Sequence, residues 1–286
     1  MLTILFDGIA YGMLLFIIAV GLAITLGLMN FINLAHGAFA MVGGYITVVL
    51  MNRHGVSFYW CLLIAFLAVG VIGAVLERTL YRRLYSAPHL DQVLFSVGLV
   101  FMSIAAAHYF MGGQQQLIQL PPELRGRIEI FGVGVGRYRI FITVFCAVLV
   151  VALQLALTRT RFGSQLRAAV DDGRVARGLG INVSVVFALT FALGSGLAGL
   201  GGAMGAEVLG LDPNFALKYI VYFLIVVTVG GTSSITGPFL AALLLGIADV
   251  AGKYYVPEIG AFIIYGVMVL VLVFRPHGLF AREASR

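Results

Sequence analysis

Residues 159–182 read R-T-R-F-G-S-Q-L-R-A-A-V-D-D-G-R-V-A-R-G-L-G-I-N, the one long charge-dense stretch between two strongly apolar parts of the chain. Both flanking parts are too apolar for a soluble protein. The 286 residues are 61% hydrophobic and only 10% charged, whereas soluble domains average about 25% charged residues. The composition therefore indicates an integral membrane protein, with this polar stretch outside the membrane.

Long runs without a charged residue lie on both sides of that stretch. Most of them contain the roughly 20 apolar residues that cross a bilayer as a helix. Backbone groups in lipid must find hydrogen-bond partners within the segment, so such runs predict helices and not barrel strands. The runs are 8–52, 54–76, 92–122, 140–158, 178–206, 219–248 and 259–274.

The runs predict an all-α, polytopic membrane protein with about eight or nine transmembrane segments, some of them broken half-helices. We expect a single transmembrane domain over 1–286, in two related halves around a translocation path. Residues 112–139 form its external loop and 159–184 its cytoplasmic loop. The predicted segments are 4–28, 38–51, 59–76, 92–111, 140–158, 183–206, 217–230, 238–251 and 259–274.

Basic residues predict the orientation of these segments. The expected span count places 11 of the 18 basic residues on one side, and cytoplasmic loops carry an excess of Lys and Arg. That side is therefore the predicted cytoplasm, with an external N-terminus and a cytoplasmic C-terminus. The 11 residues are Arg78, Arg82, Arg83, the five arginines of 159–184, Arg275, Arg282 and Arg286.

The polar stretch itself has a helical pattern. Gly163 and Ser164 suggest a helix start with Ser164 as N-cap, and Gly178 and Gly180 suggest its end. Leu166, Ala169, Val170 and Gly173 recur at helical spacing and leave the charges on other faces. Two interpretations stay open: the helix docks on a partner protein, or it is a solvated linker that only orients the two neighbouring segments.

Four stretches resemble, in order, signature sequences of the permease subunits of branched-chain amino acid ABC transporters. Residues 27–44 read G-L-M-N-F-I-N-L-A-H-G-A-F-A-M-V-G-G and resemble the Asn-Phe-Ala-His-Gly signature. Residues 167–182 resemble the cytoplasmic coupling loop, and 230–246, G-G-T-S-S-I-T-G-P-F-L-A-A-L-L-L-G, resemble the Gly-rich break. Residues 275–282, R-P-H-G-L-F-A-R, resemble the C-terminal end. The chain is therefore expected to belong to this family.

The resemblance implies a permease of the bacterial inner membrane that imports branched-chain or related small amino acids or amides. It implies a second related permease, two cytoplasmic ATPase subunits that bind the ATP, and a periplasmic binding protein. The residues expected to contact the ATPase are Arg167, Ala168, Asp171, Asp172, Arg174, Leu179 and Gly180. Leu34 replaces an aromatic residue of the first signature, and Thr232 and Ser233 stand where Gly is commoner, which leaves the substrate open.

The two breaks supply candidates for the translocation path. Unwound backbone is tolerated at membrane depth only where it faces protein or a water-filled cavity, and transporters place substrate sites at such points. The candidates are Asn30, Asn33, His36, Gly37, Thr232, Ser233 and Ser234. The alternative is that the Asn, Ser and Thr residues only cap helix ends. For His36 the alternative is a histidine bonded to a neighbouring carbonyl group.

Three further features accompany the breaks. Residues 194–206, G-S-G-L-A-G-L-G-G-A-M-G-A, predict a helix-packing face, because small residues at such spacing let backbones approach closely in lipid. Asp249 is an acid within a half-segment, which makes it a candidate functional residue by default. His108 in the fourth segment is expected to be a buried structural residue.

The residues give little support to other functions. The two lysines, Lys218 and Lys253, lie in no phosphate-binding loop, so ATP hydrolysis is expected on other polypeptides. Neither cysteine predicts a disulfide or a metal site. The net charge of +6 reflects the basic residues that orient the protein in the membrane, and it does not indicate nucleic-acid binding. A serine protease would need Ser195 beside His36 or His108. An ion-coupled secondary transporter of a small solute is the stronger alternative.

Overall fold

The computed structural model describes residues 1–29, 31, 33–130, 132–231, 234–275 and 278–279, and these residues are predominantly helical. A short antiparallel hairpin, β1 (Arg127–Ile130) with β2 (Val133–Gly136), lies in the predicted external loop. The helices are α1 (Leu2–Met29), α2 (His36–His54), α3 (Phe58–Thr79), α4 (His89–Met111), α5 (Arg137–Arg159), α6 (Arg161–Asp171), α7 (Gly173–Gly178), α8 (Val183–Val208), α9 (Phe215–Gly230), α10 (Thr236–Tyr255) and α11 (Gly260–Phe274).

Every predicted segment corresponds to one of these helices. Six of the described helices, α1, α3, α4, α5, α8 and α10, are long and apolar enough to cross a membrane. The chain is thus a helical, multi-pass membrane protein. The α9 and α11 helices are shorter, and the 19 residues of α2 include His36, Asn52 and Arg53, which lower its mean hydropathy.

The expectation of a half-helix at 238–251 is wrong. The α10 helix has 20 residues. Its Pro238 occupies the third helical position, where a missing backbone N–H costs no intrahelical hydrogen bond. The break therefore ends before Pro238, which lies in the first turn of the helix that follows.

Two contacts define the end of the bundle that carries most arginines, which we call the basic end (77–89 and 157–187). The ring of Tyr85, just after α3, packs edge-on against Phe187 in the first turns of α8 at 5.9 Å. The guanidinium of Arg167 in α6 donates to the carbonyl oxygen of Leu157 near the end of α5. These contacts bring the ends of α3 and α5 to the start of α8.

The opposite end contains the β hairpin, and we call it the hairpin end (112–136 with the loops at 55–57 and 209–214). Here Gln116 donates its backbone N–H to Leu211 at 2.7 Å, and the Asn52 amide donates to Leu117 at 3.0 Å. The predicted 112–139 loop is therefore held against α2 and the α8–α9 loop.

The centre of the bundle is built from α1 and α8 through glycine contacts. Backbone of α8 at Gly199 touches α2 at Gly43, and Gly202 touches the Ala40 carbonyl, so closely that a Cβ atom at Gly43 or Gly202 would overlap backbone. Gly194 meets Gly21 of α1 in the same way. The predicted packing face over 194–206 is confirmed, since small residues replace side-chain contact with direct backbone contact.

The α4 helix lies at the edge of this arrangement. Only 17% of its most apolar window is buried, against 83% for α1. His108 is accordingly exposed, and the expectation that it is a buried structural residue is wrong. His108 lies on the side of α4 that no other described helix covers.

Candidate functional site

The break between α1 and α2 is folded into the protein interior. Asn33 is 1% exposed, and its side-chain oxygen accepts from the Tyr81 hydroxyl at 3.0 Å and from the Ala35 backbone N–H at 3.1 Å. This amide thus satisfies a local turn and also joins the break to the segment after α3. Asn30 lies outside the described residues.

His36 begins α2 and is 1% exposed. Its Nε2 atom lies 2.7 Å from the carbonyl oxygen of Ile18 and therefore donates to it. A side chain at Gly37 would come within 2.6 Å of the Ala216 carbonyl oxygen at the start of α9. His36 is thus bonded to a carbonyl, as the alternative interpretation proposed, and Gly37 allows α2 and α9 to meet.

Both breaks lie beside the middle of α1. The partner of His36, Ile18, is close to the midpoint of that helix. On the other break, Phe239 in the first turn of α10 packs edge-on against Phe16 at 5.4 Å. The α10 helix therefore starts at the same level of α1 at which α2 starts. Two helix starts at mid-depth of a spanning helix form the geometry in which transporters hold substrate.

The second break is more open than the first. Ser234 is exposed, its hydroxyl lies 3.1 Å from that of Thr236, and it accepts the Gly237 backbone N–H at 3.3 Å. Ser234 therefore caps the start of α10. Thr232 and Ser233 lie outside the described residues. Leu279 donates its backbone N–H to Val229 at 2.8 Å, which ties the C-terminal signature to the end of α9.

Tyr81 connects the first break to the basic end. Its ring is fully buried and contacts Phe31 of the break at 5.2 Å, Phe95 of α4 at 5.2 Å and Phe191 of α8 at 4.6 Å. Its hydroxyl reaches Asn33. A movement of α8 or α4 at the basic end would therefore displace the Tyr81 ring and, through its hydroxyl, Asn33 in the break.

Glu77 is a functional candidate that the sequence did not disclose. It is 1% exposed in the last turns of α3, and its Oε1 accepts the Tyr85 hydroxyl at 2.6 Å. Its Oε2 is buried without a hydrogen-bond partner among the described residues. Burial, the hydrogen bond to Glu77 and the Glu77 charge raise the pKa of Tyr85. The available signal was an acid within an apolar run, masked by the adjacent Arg78.

The predicted coupling helix is two helices, and its predicted N-cap is wrong. The N-cap of α6 is Thr160, whose hydroxyl accepts the Gly163 N–H at 3.3 Å, so Ser164 lies within the first turn. Asp172, with extended backbone, then ends α6 and caps α7. The helix starts earlier than predicted because α6 follows α5 after a single residue.

The apolar and charged faces of α6 and α7 divide much as predicted. Leu166, Ala169 and Ala176 are buried and pack on Val183 and Val186 at the start of α8. Ala168 is partly exposed. The other predicted contact residues, Arg167, Asp171, Asp172, Arg174, Leu179 and Gly180, are exposed, and Leu179 leaves 75% of its surface uncovered.

Asp172 fixes the start of α7. One carboxylate oxygen accepts the backbone N–H of Arg174 at 2.8 Å and of Val175 at 3.0 Å. The N–H groups of Val175 and Arg174 hold the pKa of the Asp172 carboxyl below its usual range. Ionised Asp172 is therefore the form that stabilises α7.

Known proteins resemble nearly the whole chain. The family described as the permease component of branched-chain amino acid transport systems matches residues 4–272. The high-affinity branched-chain amino acid transport system permease protein BraD of Pseudomonas aeruginosa is 30% identical, over 97% of this chain and 95% of the relative. LivH of Escherichia coli, a permease of the same description, is 26% identical over 97% of this chain and 94% of its own.

A second type of relative matches as well. The high-affinity branched-chain amino acid transport system permease protein LivM of Escherichia coli is 26% identical, over 93% of this chain and 68% of the relative. No solved structure matches the chain at a significant level.

Proposed function

Since the chain belongs to the permease family of branched-chain amino acid transport systems, we propose that it is the membrane-spanning subunit of an ATP-driven importer of branched-chain or related small amino acids or amides. The observation that carries this proposal is the match of the family over residues 4–272. The two helix starts beside the middle of α1 agree with it, because they supply the irregular backbone at membrane depth that a substrate path uses.

ATP is bound and hydrolysed by two separate cytoplasmic subunits in this proposal. The exposed surface of α6 and α7 is their docking site: it presents Asp171 and Arg174 beside the uncovered Leu179. A charged surface around an exposed leucine suits a protein partner better than water alone. The proposed location is the bacterial inner membrane, with the basic end facing the cytoplasm.

The coupling between that surface and the path runs through two tyrosines. The α7 helix leads into α8, where Phe187 contacts Tyr85 at 5.9 Å. Tyr81, four residues before Tyr85, donates its hydroxyl to the Asn33 side chain in the first break at 3.0 Å. A displacement of α6 and α7 by the ATPase therefore changes the position of Asn33 and, three residues on, of His36.

The remaining partners complete the transporter. A second related permease faces this one, consistent with the similarity of the chain to both LivH and LivM. A periplasmic binding protein delivers substrate to the hairpin end. Asn30, Asn33, His36, Gly37, Thr232, Ser233 and Ser234 remain the residues proposed for the path.

The two other functions considered find less support. The relatives are named as permeases of transport systems, which does not favour an ion-coupled transporter acting alone. For a protease, Ser195 would have to contact a histidine, yet its hydroxyl donates to the Phe191 carbonyl at 2.8 Å while His36 donates to Ile18.

Uptake of labelled leucine tests the proposal. Vesicles would contain this chain with a second permease and two ATPases, and would receive binding protein and ATP. We expect ATP-dependent uptake by the wild type and its loss in Asp171→Arg/Arg174→Glu, with loss of ATPase co-purification. Glu123→Arg/Arg127→Glu, an exposed charge exchange at the hairpin end, is the matched control and should retain the ATPases.

The outcomes separate the two parts of the proposal. Uptake without any added ATPase would overturn the ABC assignment in favour of the ion-coupled alternative. Uptake and ATPase binding that are unchanged in the Asp171→Arg/Arg174→Glu variant would overturn the docking site and leave the transporter assignment in place.

A further inference from the structure

Asp249 is a carboxylate buried inside the membrane-spanning part of the protein. It lies in α10 near the hairpin end and is 1% exposed. Its Oδ2 atom lies 2.6 Å from the Lys253 ammonium. Its Oδ1 atom is also buried and has no hydrogen-bond partner among the described residues. One of its two oxygens is thus available to a further donor.

Lys253 differs from Asp249 in its surroundings. Its side chain is 49% exposed, and its ammonium group reaches the Asp249 carboxylate. There it lies 5.6 Å from the centre of the Tyr11 ring of α1. The ammonium therefore lies between one carboxylate and one aromatic ring, at the end of a half-exposed stem.

This combination has a defined chemical preference. A buried carboxylate is strongly stabilised by a cation beside it, so the site favours a positive charge. A primary ammonium has three N–H donors, of which two can serve the two carboxylate oxygens and the whole charge can lie over a tyrosine ring. Lys253 serves only one of the oxygens, which is consistent with a site shaped for a freer ammonium than one tethered four residues along the same helix.

We infer that Asp249 and Tyr11 form a binding site for a primary ammonium group, which Lys253 fills in this structure and which the ammonium of an amino acid enters by displacing Lys253. This inference rests on the proposed function, since the ligand of the site is the amino acid that the proposed transporter carries. The exposed stem of Lys253 gives the ammonium group somewhere to go, because it can move into water without repacking α10.

Replacement of the lysine makes the site testable without any transport. In the purified complex, Lys253→Ala should lower the melting temperature, and butylammonium chloride should restore it in a saturable manner. Tetramethylammonium chloride has the same charge without N–H donors and should restore little. The variant Asp249→Asn/Lys253→Ala should not respond to butylammonium. A response that is equal for both salts, or equal in the double variant, overturns the inference.

Uptake by the complete transporter provides the second measurement, and it does not depend on the stability of Lys253→Ala. With saturating loaded binding protein, Asp249→Asn should lower the rate of leucine uptake about tenfold, the effect of one lost charge-assisted hydrogen bond. Glu258→Gln, at an exposed acid of the same end, is the control and should transport normally. Co-purification of the ATPases should be unchanged in both.

The two measurements fail independently. Normal leucine uptake by Asp249→Asn would overturn the ammonium site while the proposed function stands. If butylammonium rescues Lys253→Ala in a saturable manner while the wild-type complex transports no leucine, the site is supported and the proposed substrate is overturned. An ion pair of purely structural value predicts that neither rescue nor slowed uptake occurs.

Discussion

The most apolar windows of helices α4 and α8 have nearly the same mean hydropathy, 1.9 and 2.0. Yet 17% of the α4 window is buried, against 67% of the α8 window. Lipid is as apolar as leucine, so hydropathy places a helix in the membrane without deciding whether it faces lipid or protein. The difference comes from shape. The α8 helix carries glycines where α2 and α1 touch its backbone, whereas the exposed Gly98 of α4 has open space beside it.

The same substitution in both helices should break this comparison most visibly. Gly202→Leu would drive a side chain into the Ala40 carbonyl, and overpacking of this kind costs roughly 3 kcal/mol or more. Gly98→Leu should not destabilise the protein and could stabilise it by up to about 1 kcal/mol, because glycine is unfavourable within a helix. Thermal unfolding in detergent, followed by size-exclusion chromatography, measures both. If Gly202→Leu is as stable as Gly98→Leu, close backbone contact does not hold the centre together.

A smaller effect is expected from one hydroxyl group. Tyr85→Phe removes the described donor of the buried Glu77 carboxylate, and a hydrogen bond to a charged group contributes about 1.5–3 kcal/mol. Tyr109→Phe in α4, where the residue is 85% exposed, is the control and should be neutral. Denaturant unfolding of the two variants measures the difference. Equal losses would mean that the contact with Glu77 contributes nothing beyond an exposed phenol.

The smallest effect concerns a group outside both helices. The pKa of Asp172 is depressed in the folded protein, so its contribution to α7 is present above the unfolded pKa and is lost as pH falls through the folded value. Hydrogen exchange at Arg174 and Val175 should therefore lose protection at acidic pH. Asp172→Asn keeps a capping oxygen and should remove this pH dependence. An unchanged profile in Asp172→Asn would assign the effect to another group.

Most of the helices could be predicted, because the chain punctuates its apolar runs with charges or glycines. The predicted segment 183–206 corresponds to α8, and 92–111 to most of α4. The hairpin was missed, since the glycines at 134 and 136 are typical of a loop and lie in a strand only through pairing with 127–130. That pairing is a contact between two short segments, and the residue pattern within either segment does not contain it.

The candidate site shows the same limit. Asn33 and His36 were selected by their place in a break, and the structure finds both buried and bonded. Tyr81 and Glu77 were not selected, although one contacts Asn33 from 48 positions away and the other is a buried acid. An apolar run that ends in E-R-T-L-Y-R-R-L-Y gives no sign of which of its polar groups turn inward.

The connection between α5 and α6 has a mechanical consequence. The single residue Thr160 separates the two helices, Gly163 packs against the Leu157 carbonyl, and Arg167 donates to the same oxygen. These two contacts hold the angle between α5 and α6 fixed. On the other side, Leu166 and Ala169 of α6 pack directly on the start of α8. A force applied to α6 would thus turn α5 as a lever and would reach α8 through side-chain packing.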